Sequence, residues 1–416
     1  MRKIKNGIIL AGGNSDRLWP LKDKIFTMYL GKSFISYLTE QLSQYCERIF
    51  IVVNDLNKTQ IQDVTKNLHT YIVQNKQYSG MAGAVMSCSG KLEGEALILN
   101  ASDYFNFEII SKIIEKSQDR SIDVILIAKK VNSYFPGGYL TIDGNTVISI
   151  VEKPLPQETP SDLVNLVIDY YKDFDQFLSY IIKTETHRDD WFENGLNLML
   201  TKRRVEWIQY SDYWYALKYP WNILQLMKFF LFQIKESAND LTSVTIDPSA
   251  TVSSKVVLGK NVKIGHYSKI SGPCYIGDNT VIGDYSLIRE SHIGSNCLIG
   301  SSSEVARSYI GNKVSLHRNY IGDSVLSDNV LMGAGAVTAN FRFDEKDIFS
   351  SVSGKKVNST MRKFGSIIGK RTKIGVNSVI FPGIKIGTNS LIGPGEKVTS
   401  DIPDNGLFFE GSLKKV

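Results

Sequence analysis

The sequence predicts two domains of different fold. The first is an α/β domain with a doubly wound, Rossmann-like sheet over residues 1–236, and the second is a left-handed parallel β-helix over residues 237–416. Three observations lead to this division: strands alternate with helical stretches in the first half, a hexapeptide repeat fills the last third, and 416 residues exceed one ordinary hydrophobic core. The link between the domains is predicted at residues 235–243.

The last third of the chain repeats an aliphatic residue followed by glycine about every six positions. The pairs are Leu258-Gly259, Ile264-Gly265, Ile276-Gly277, Ile282-Gly283, Ile293-Gly294, Ile299-Gly300, Ile310-Gly311, Ile321-Gly322, Ile368-Gly369, Ile374-Gly375, Ile386-Gly387 and Ile392-Gly393. This period is typical of parallel β-helices, with each aliphatic residue pointing into a three-sided prism and each glycine at a turn of positive φ. The alternative, a β-sandwich, would show turn signals about every eight to twelve residues.

Strands and helices alternate through the first half of the chain. Predicted strands at Arg48–Val53, Ala96–Leu99 and Val124–Ala128 follow helical segments at Phe34–Tyr45, Gly83–Ser89 and Phe107–Lys116. Gly12 and Gly13 stand where the first strand ends, and sheets of this kind bind ligands at the carboxyl ends of their strands. The apolar stretch Ile223–Ile234 is too short to span a membrane, and we expect it to be the helix that closes the first domain.

Composition and charge limit the classes of function. The net charge is +6, from 48 basic and 42 acidic residues that are interspersed, which argues against nucleic acid as a partner and suits small anionic substrates. The four cysteines show no CxxC spacing, and the chain starts on an apolar strand instead of a signal peptide. We therefore expect a cytoplasmic protein without a membrane partner.

Residues 9–32 resemble the signature of the sugar-phosphate nucleotidylyltransferases, which combines a glycine loop with spaced basic residues. The matching residues are Gly12, Gly13, Arg17, Leu18, Pro20, Leu21, Lys24 and Gly31-Lys32, and further matches are Gln74, Gly80, Asp103, Gly138, Glu152-Lys153-Pro154, Asn165 and Trp214–Leu224. Each residue alone has an ordinary explanation as a turn or surface residue. Because the matches follow in order over roughly 230 residues, together they favour a functional interpretation.

The resemblance implies that a sugar 1-phosphate attacks the α-phosphate of a nucleoside triphosphate and releases pyrophosphate. Such a transfer depends on cations and N–H groups around the phosphates. The implied roles are catalysis by Arg17 and Lys24, nucleotide binding by Gly12, Gly13, Gln74 and Gly80, sugar binding by Gly138, Glu152, Lys153 and Asn165, and Mg²⁺ binding by Asp103. Two departures leave open an acetyltransferase or a regulatory subunit whose first domain has lost catalysis: Asp16 places a carboxylate in the loop, and Ala216 stands where the family has a second metal-binding Asp.

Residues 316–346 resemble the acetyltransferase domain of the bifunctional glucosamine-1-phosphate acetyltransferases and N-acetylglucosamine-1-phosphate uridylyltransferases in their archaeal form. The matching stretches are Leu316–Ser324 and Met332–Lys346, and the order of the two domains also matches. The resemblance implies acetyl-CoA as a substrate. The flat, rigid faces of the predicted prism favour a homotrimer, and because the prism is convex we expect the site to lie between subunits.

The roles implied for this second site follow the chemistry of acetyl transfer. His317 would act as the base, Tyr320 and Asn340 would hold the amino sugar, and Lys346 and Arg289 would meet phosphate. The alternatives are a solvated turn histidine and a charged surface loop. Leu331 and Ala306 depart from the family pattern, which has Asn and Lys at those positions.

Overall fold

The computed structural model describes residues 2–13, 15–22, 24–75, 77–78, 80–235 and 241–414. The chain forms two compact units. The first contains Met1–Asn14 and Ile35–Ala216, and the second contains Ser15–Phe34 and Leu217–Val416. Most of the predicted link, residues 236–240, lies outside the described residues.

A ten-stranded mixed sheet forms the centre of the first unit, in agreement with the predicted α/β fold. Its strands are β1 (Ile4–Leu10), β2 (Cys46–Val53), β3 (Thr70–Val73), β4 (Ala96–Asn100), β5 (Val124–Lys130), β6 (Gly138–Asp143), β7 (Thr146–Glu152), β8 (Leu163–Asn165), β9 (Ile168–Tyr171) and β10 (Val205–Gln209). Their order is β8-β6-β7-β10-β5-β9-β4-β1-β2-β3. The run β4-β1-β2-β3 is parallel, and β1 is buried at every position but one because helices cover both faces of such a sheet.

In the part of the chain that the structure describes, six α-helices accompany this sheet. They are α1 (Phe34–Ser43), α2 (Lys58–Val64), α3 (Gly80–Met86), α4 (Ile109–Lys116), α5 (Phe174–Ile182) and α6 (Trp191–Leu200). Helix α4 buries four isoleucines whose spacing keeps them on one side of a helix: Ile109, Ile110, Ile113 and Ile114. Within the described part of the chain, no helix has the length and hydropathy that crossing a membrane requires.

Three sheets of short parallel strands form a β-helix in the second unit, as the hexapeptide period predicted. The first face contains Thr245–Ile246, Lys263–Ile264, Val281–Ile282, Leu298–Ile299, Ser315–Leu316, Leu331–Met332, Lys373–Ile374, Leu391–Ile392 and Leu407–Phe409, and ends with the antiparallel Ser412–Lys414. The second face contains Thr251–Val252, Lys269–Ser271, Leu287–Arg289, Glu304–Ala306, Tyr320–Gly322, Val337–Thr338, Val379–Ile380 and Lys397–Val398. The third face contains Val256–Leu258, Cys274–Ile276, His292–Ile293, Tyr309–Ile310, Val325–Leu326, Ile367–Ile368 and Lys385–Ile386.

The aliphatic residue of each hexapeptide points into the prism, as predicted. On the first face Ile264 pairs with Ile282, and Ile282 pairs with Ile299 in the next coil. All three side chains are buried in one core that continues along the axis. A single coil could not bury its own inner face, so stability comes from stacking.

The prediction that the repeat glycines adopt a positive φ is wrong. Among the described residues, no glycine of these repeat pairs has a positive φ; the positive φ falls two residues later, for example at Asn296, except after Gly322, where Asp323 has it. A Cβ on Gly294 would lie 2.6 Å from the carbonyl oxygen of Gly311 in the next coil. Glycine is therefore required because neighbouring coils approach closely at the corner.

A helix of the second unit packs beside the third face of the prism. Helix α7 (Asn222–Phe232) falls in this unit and not in the first, where we expected it. The Phe230 ring stacks on Tyr29 at 5.0 Å, and Tyr29 meets Tyr309 of the third face edge-on at 6.1 Å. These aromatic contacts bury the apolar side of α7.

An excursion interrupts the repeat after Asn340. It contains an antiparallel hairpin of Phe349–Val352 with Lys355–Asn358. The chain returns when the N–H of Phe364 donates to the carbonyl oxygen of Asn340 at 3.0 Å. Both ends of the excursion are thus fixed to the same coil.

Candidate active sites

Three residues predicted to bind nucleotide lie together after β1 and β3. A Cβ on Gly12 would be 2.0 Å from Gln74 Oε1, and Gln74 Nε2 donates to the carbonyl oxygen of Gly80 at 3.1 Å. Gly13 is different, because no heavy atom of the described residues would lie within 4 Å of a Cβ there. The backbone at Gly13 is therefore open to a ligand, as a phosphate-binding loop requires.

The residues predicted to hold the sugar also converge. Gly138 pairs directly with Glu152 across β6 and β7, and a Cβ on Gly138 would be 3.5 Å from Glu152 Oε2. Lys153 Nζ lies 2.5 Å from Glu152 Oε1. Burial lowers the pKa of Lys153, but the hydrogen bond and charge of Glu152 outweigh this and raise it overall. The result is a cation held in place, which suits a phosphate group.

Asn165 belongs to a buried polar group on β8 and β9. Its Nδ2 donates to Asp169 Oδ2 at 3.2 Å. Among the described residues, Asn165 Oδ1, Asp169 Oδ1 and the Tyr171 hydroxyl are buried without a hydrogen-bond partner. Burial raises the pKa of Asp169 to about 7. Buried polar atoms normally have partners, so these three atoms make this an unusual, costly buried polar group.

The predicted metal residue faces the position of the missing second carboxylate. Asp103 begins the short strand Asp103–Phe105, which pairs antiparallel with Trp214–Ala216, and Ala216 lies directly opposite Asp103. Asp103 is only 3% exposed. Asp212 offers no replacement, because it precedes the strand and accepts a hydrogen bond from Asn106 Nδ2 at 2.7 Å.

Arg17 and Lys24 belong to the second unit. The loop that carries Arg17 is anchored by Trp19, whose Nε1 donates to Asp404 Oδ1 at 3.0 Å. Lys385 Nζ, on the third face, lies 4.7 Å from the Trp19 ring centroid. Arg17 and Trp19 line a cavity of about 240 Å³ with Lys385. The β-helix therefore holds the loop that the signature assigns to the triphosphate.

Two residues predicted for acetyl transfer meet on the second face. Asn340 Nδ2 donates to the Tyr320 hydroxyl at 3.3 Å and also to Asp323 Oδ2. Arg307 donates to both oxygens of Asp323, each at 2.7 Å. The hydrogen bond to Asp323 raises the pKa of Arg307 more than burial lowers it, so the guanidinium stays charged. These four side chains form one network.

His317 lies at the corner before the second face, and its side chain is exposed. Its backbone N–H donates to Asn319 Oδ1, and Asn319 Nδ2 donates to the carbonyl oxygens of Gly333 and Ala336 at 2.9 and 2.8 Å. Asn319 is buried. The corner that carries the imidazole is therefore fixed to the next coil.

The two predicted phosphate contacts lie apart from this network. Arg289 is two coils earlier on the second face, through its pairing with Ala306 and then Gly322. Its Nε donates to Glu304 Oε1 at 3.1 Å. Lys346 is exposed in the excursion, where its backbone N–H donates to Asp344. The structure does not bring either residue to Tyr320 or Asn340.

Residue patterns alone do not single out Asp323, Arg307, Asn319 or Asp169. Each is polar and either buried or paired with a buried group. The only local signal is the polar residue itself within an apolar strand or corner, as in Ile168-Asp169-Tyr170. Their partners come from other coils or strands, so spacing along the chain does not show them.

Profiles of known protein families match both halves of the chain. A nucleotidyl transferase family profile matches residues 6–215, the GMPPB C-terminal domain profile matches residues 239–330, and a profile of the hexapeptide repeat of succinyl-transferase matches residues 366–400. The "Bifunctional protein GlmU" of Methanococcus vannielii is 27% identical over 91% of this chain and 91% of its own length. That of Methanococcus maripaludis strain C7 is 29% identical over 97% of each.

The "Bifunctional sugar-1-phosphate nucleotidylyltransferase/acetyltransferase" of Sulfurisphaera tokodaii is 34% identical over 391 residues. The match covers 90% of this chain and 92% of that protein. A match of this extent reaches into both units. The chain belongs to the family of bifunctional sugar-1-phosphate nucleotidylyltransferases and acetyltransferases.

Proposed function

We propose that this chain transfers an acetyl group from acetyl-CoA to an amino-sugar 1-phosphate and joins a sugar 1-phosphate to a nucleotide with release of pyrophosphate. Membership of the bifunctional family supports both reactions. The observation that carries the proposal is the convergence of predicted residues in each half: Gly12, Gln74 and Gly80 in one, Tyr320 and Asn340 in the other.

Acetyl transfer requires a base, an acceptor sugar held in place and a leaving thiol. The neutral amine of the sugar attacks the thioester carbonyl carbon, the C–S bond breaks, and CoA leaves as the thiol. His317 takes the proton that the amine loses and returns it to the sulfur, since the imidazole nitrogens can accept and donate a proton. Tyr320 and Asn340 hold the acceptor sugar, while Lys346 and Arg289 remain candidates for phosphate contacts.

Nucleotidyl transfer is assigned to the residues of the nucleotidylyltransferase signature, with Arg17 and Lys24 as its candidate catalytic residues. Lys153 and Glu152 would hold the sugar phosphate, and the open backbone at Gly13 would face the triphosphate. Asp103 is the carboxylate that would hold Mg²⁺, and the described residues contain no cluster of three metal-ligating side chains. A donor set of one carboxylate plus phosphates fits Mg²⁺, which would neutralise phosphate charge there.

A specific observation favours a second candidate for the first unit. The residue directly opposite Asp103 is Ala216 and not a second carboxylate, and Asp16 adds a negative charge beside Arg17. In this second candidate the unit binds a sugar nucleotide without turning it over, and only acetyl transfer remains. A titration in which nucleotide binds equally with and without Mg²⁺, and no pyrophosphate appears, would support it.

The test of acetyl transfer compares two substitutions in the β-helix, His317→Ala and a control histidine. His317→Ala should reduce CoA release with glucosamine 1-phosphate by about 10²-fold or more, the range of general-base removal. His266→Ala is the matched control, because His266 is an exposed corner histidine in an earlier coil that pairs with Asp247 at 2.9 Å. Equal rates for both variants would remove His317 as the base.

We also propose that the chain forms the predicted homotrimer and acts in the cytoplasm. Leu298, Leu331 and Leu391 are 41%, 39% and 45% exposed on the first face, and a rigid face with such residues suits packing between copies. The four cysteines are free and buried, which fits a reducing compartment. Light scattering should give three times the chain mass of 46.6 kDa, and a mass of one chain would contradict the trimer.

A further inference from the structure

An ion pair fixes the orientation of the Asn340 amide. Asp323 is 5% exposed, and Arg307 holds both of its oxygens at 2.7 Å. Asp323 Oδ2 also accepts a hydrogen bond from Asn340 Nδ2. Because Asp323 accepts from Arg307 at both oxygens, its carboxylate acts as an acceptor toward Asn340 as well. The amide nitrogen of Asn340 must therefore face Asp323, and its carbonyl oxygen must point elsewhere.

Tyr320 and Gly322 also contact the Asn340 amide. The Tyr320 hydroxyl accepts from the same nitrogen at 3.3 Å. A Cβ on Gly322 would be 2.5 Å from Asn340 Nδ2 and 2.7 Å from the Tyr320 hydroxyl. The amide thus lies against bare backbone. No donor within the described residues reaches Asn340 Oδ1, although both hydrogens of Nδ2 have acceptors.

We propose that Asp323, anchored by Arg307, is a positioning residue that aims Asn340 Oδ1 at the amine of the acceptor sugar. An acceptor atom there takes one N–H of the neutral amine and leaves the nitrogen lone pair free to attack the thioester. A flipped amide would instead present N–H groups to that lone pair and block it. This inference rests on the acetyl transfer proposed above.

The first test is Asp323→Asn. The new amide can donate to Asn340 Oδ1, so the Asn340 amide is expected to turn over and present its nitrogen to the substrate. Misplacement of one contact in an active site costs up to about 10²-fold. We expect kcat for glucosamine 1-phosphate to fall by about 10- to 100-fold, with binding of that sugar, measured by calorimetry, weakened as well. The matched control is Asp284→Asn, which removes a corner carboxylate that accepts from the His266 N–H at 2.8 Å.

The decisive test exchanges the two side chains in the double variant Asp323→Asn with Asn340→Asp. The amide at position 323 then donates to one oxygen of the carboxylate at position 340, and the other oxygen of that carboxylate again faces the substrate as an acceptor. We expect kcat to recover to within about tenfold of the unaltered protein, against the 10- to 100-fold loss in the single variant. A purely structural role of Asp323 predicts that the exchange is at least as damaging as the single change.

The outcomes of these tests separate this inference from the proposed function. Loss in the single variant with recovery in the exchange supports the positioning role, provided that circular dichroism shows both variants folded. Unchanged kcat in Asp323→Asn, or no recovery in the exchange, overturns it while acetyl transfer stands. An unaltered protein that neither binds nor acetylates glucosamine 1-phosphate overturns both, and a folded Gly322→Ala variant with full activity also overturns the inference.

Discussion

Restoring the missing carboxylate is the sharpest perturbation of the first unit. Asp103 and Ala216 are directly opposed in an antiparallel ladder, where opposed Cβ atoms lie about 4.5–5.5 Å apart. The variant Ala216→Asp therefore places two carboxylates side by side. At about 5 Å and an effective dielectric constant near 20, two unit charges repel by about 3 kcal/mol. Partial exposure of residue 216 reduces this to about 1–2 kcal/mol.

The same arrangement should bind Mg²⁺ more tightly, because both carboxylates can hold it together with the substrate phosphates. We expect Ala216→Asp to lower the unfolding temperature in EDTA and to regain it with Mg²⁺. Its apparent Mg²⁺ affinity, taken from the Mg²⁺ dependence of pyrophosphate release, should increase by about 10- to 100-fold, which corresponds to about 1.4–2.8 kcal/mol.

The control is Ala216→Asn, which adds similar volume without charge. Pyrophosphate release is measured with a nucleoside triphosphate and a sugar 1-phosphate over a Mg²⁺ series, and unfolding by thermal shift. If Ala216→Asp and Ala216→Asn show the same Mg²⁺ dependence in both assays, Asp103 is not part of a metal site and the reasoning fails.

Three further predictions concern packing and pH. Gly294→Ala should destabilise the β-helix by about 1–3 kcal/mol, because its Cβ would lie 2.6 Å from the next coil. The control Asn296→Gly, in the same corner, should change the free energy of unfolding by less than about 1 kcal/mol. Equal unfolding midpoints of the two variants in urea would contradict this. Burial lowers the pKa of His292 to about 3, whereas the pKa in the unfolded chain is about 6.5. The free energy of unfolding should therefore fall as the pH drops from about 6.5 toward 3, because the unfolded chain binds the proton more readily. His292→Phe should remove this pH dependence from denaturation curves. Burial raises the pKa of Asp169 to about 7. The stability that Asp169 contributes to the fold should therefore be full below the unfolded pKa of about 4 and be lost as the pH rises through 7. If Asp169→Asn leaves the pH dependence of the free energy of unfolding unchanged, this prediction is refuted.

Residue patterns predict those parts of the fold that repeat along the chain. The inward positions such as Ile264 and Ile282 follow from a fixed period, since each hexapeptide meets the same neighbour in the next coil. The role of the repeat glycines was misjudged because the period does not show how closely the coils approach. That distance follows only from the stacked structure, as at Gly294.

Contacts between distant parts of the chain were not predictable in this way. Trp19 donates to Asp404, 385 positions later, and no local pattern connects them. Asp323 and Asn340 are separated by one coil of 17 residues, so their contact requires a known coil length. The resemblance supplied Asn340 but not the carboxylate that orients it, because the network depends on packing between coils.

The most direct test of the two proposed reactions is a product assay on one purified protein with acetyl-CoA, glucosamine 1-phosphate, a nucleoside triphosphate and Mg²⁺. Mass spectrometry of the sugar products and parallel detection of CoA and pyrophosphate report both reactions. We expect the unaltered protein to release both CoA and pyrophosphate, and the CoA and the N-acetylated sugar phosphate to disappear in His317→Ala. Absence of both products from the unaltered protein, or acetylation unaffected by His317→Ala, would contradict the two assignments.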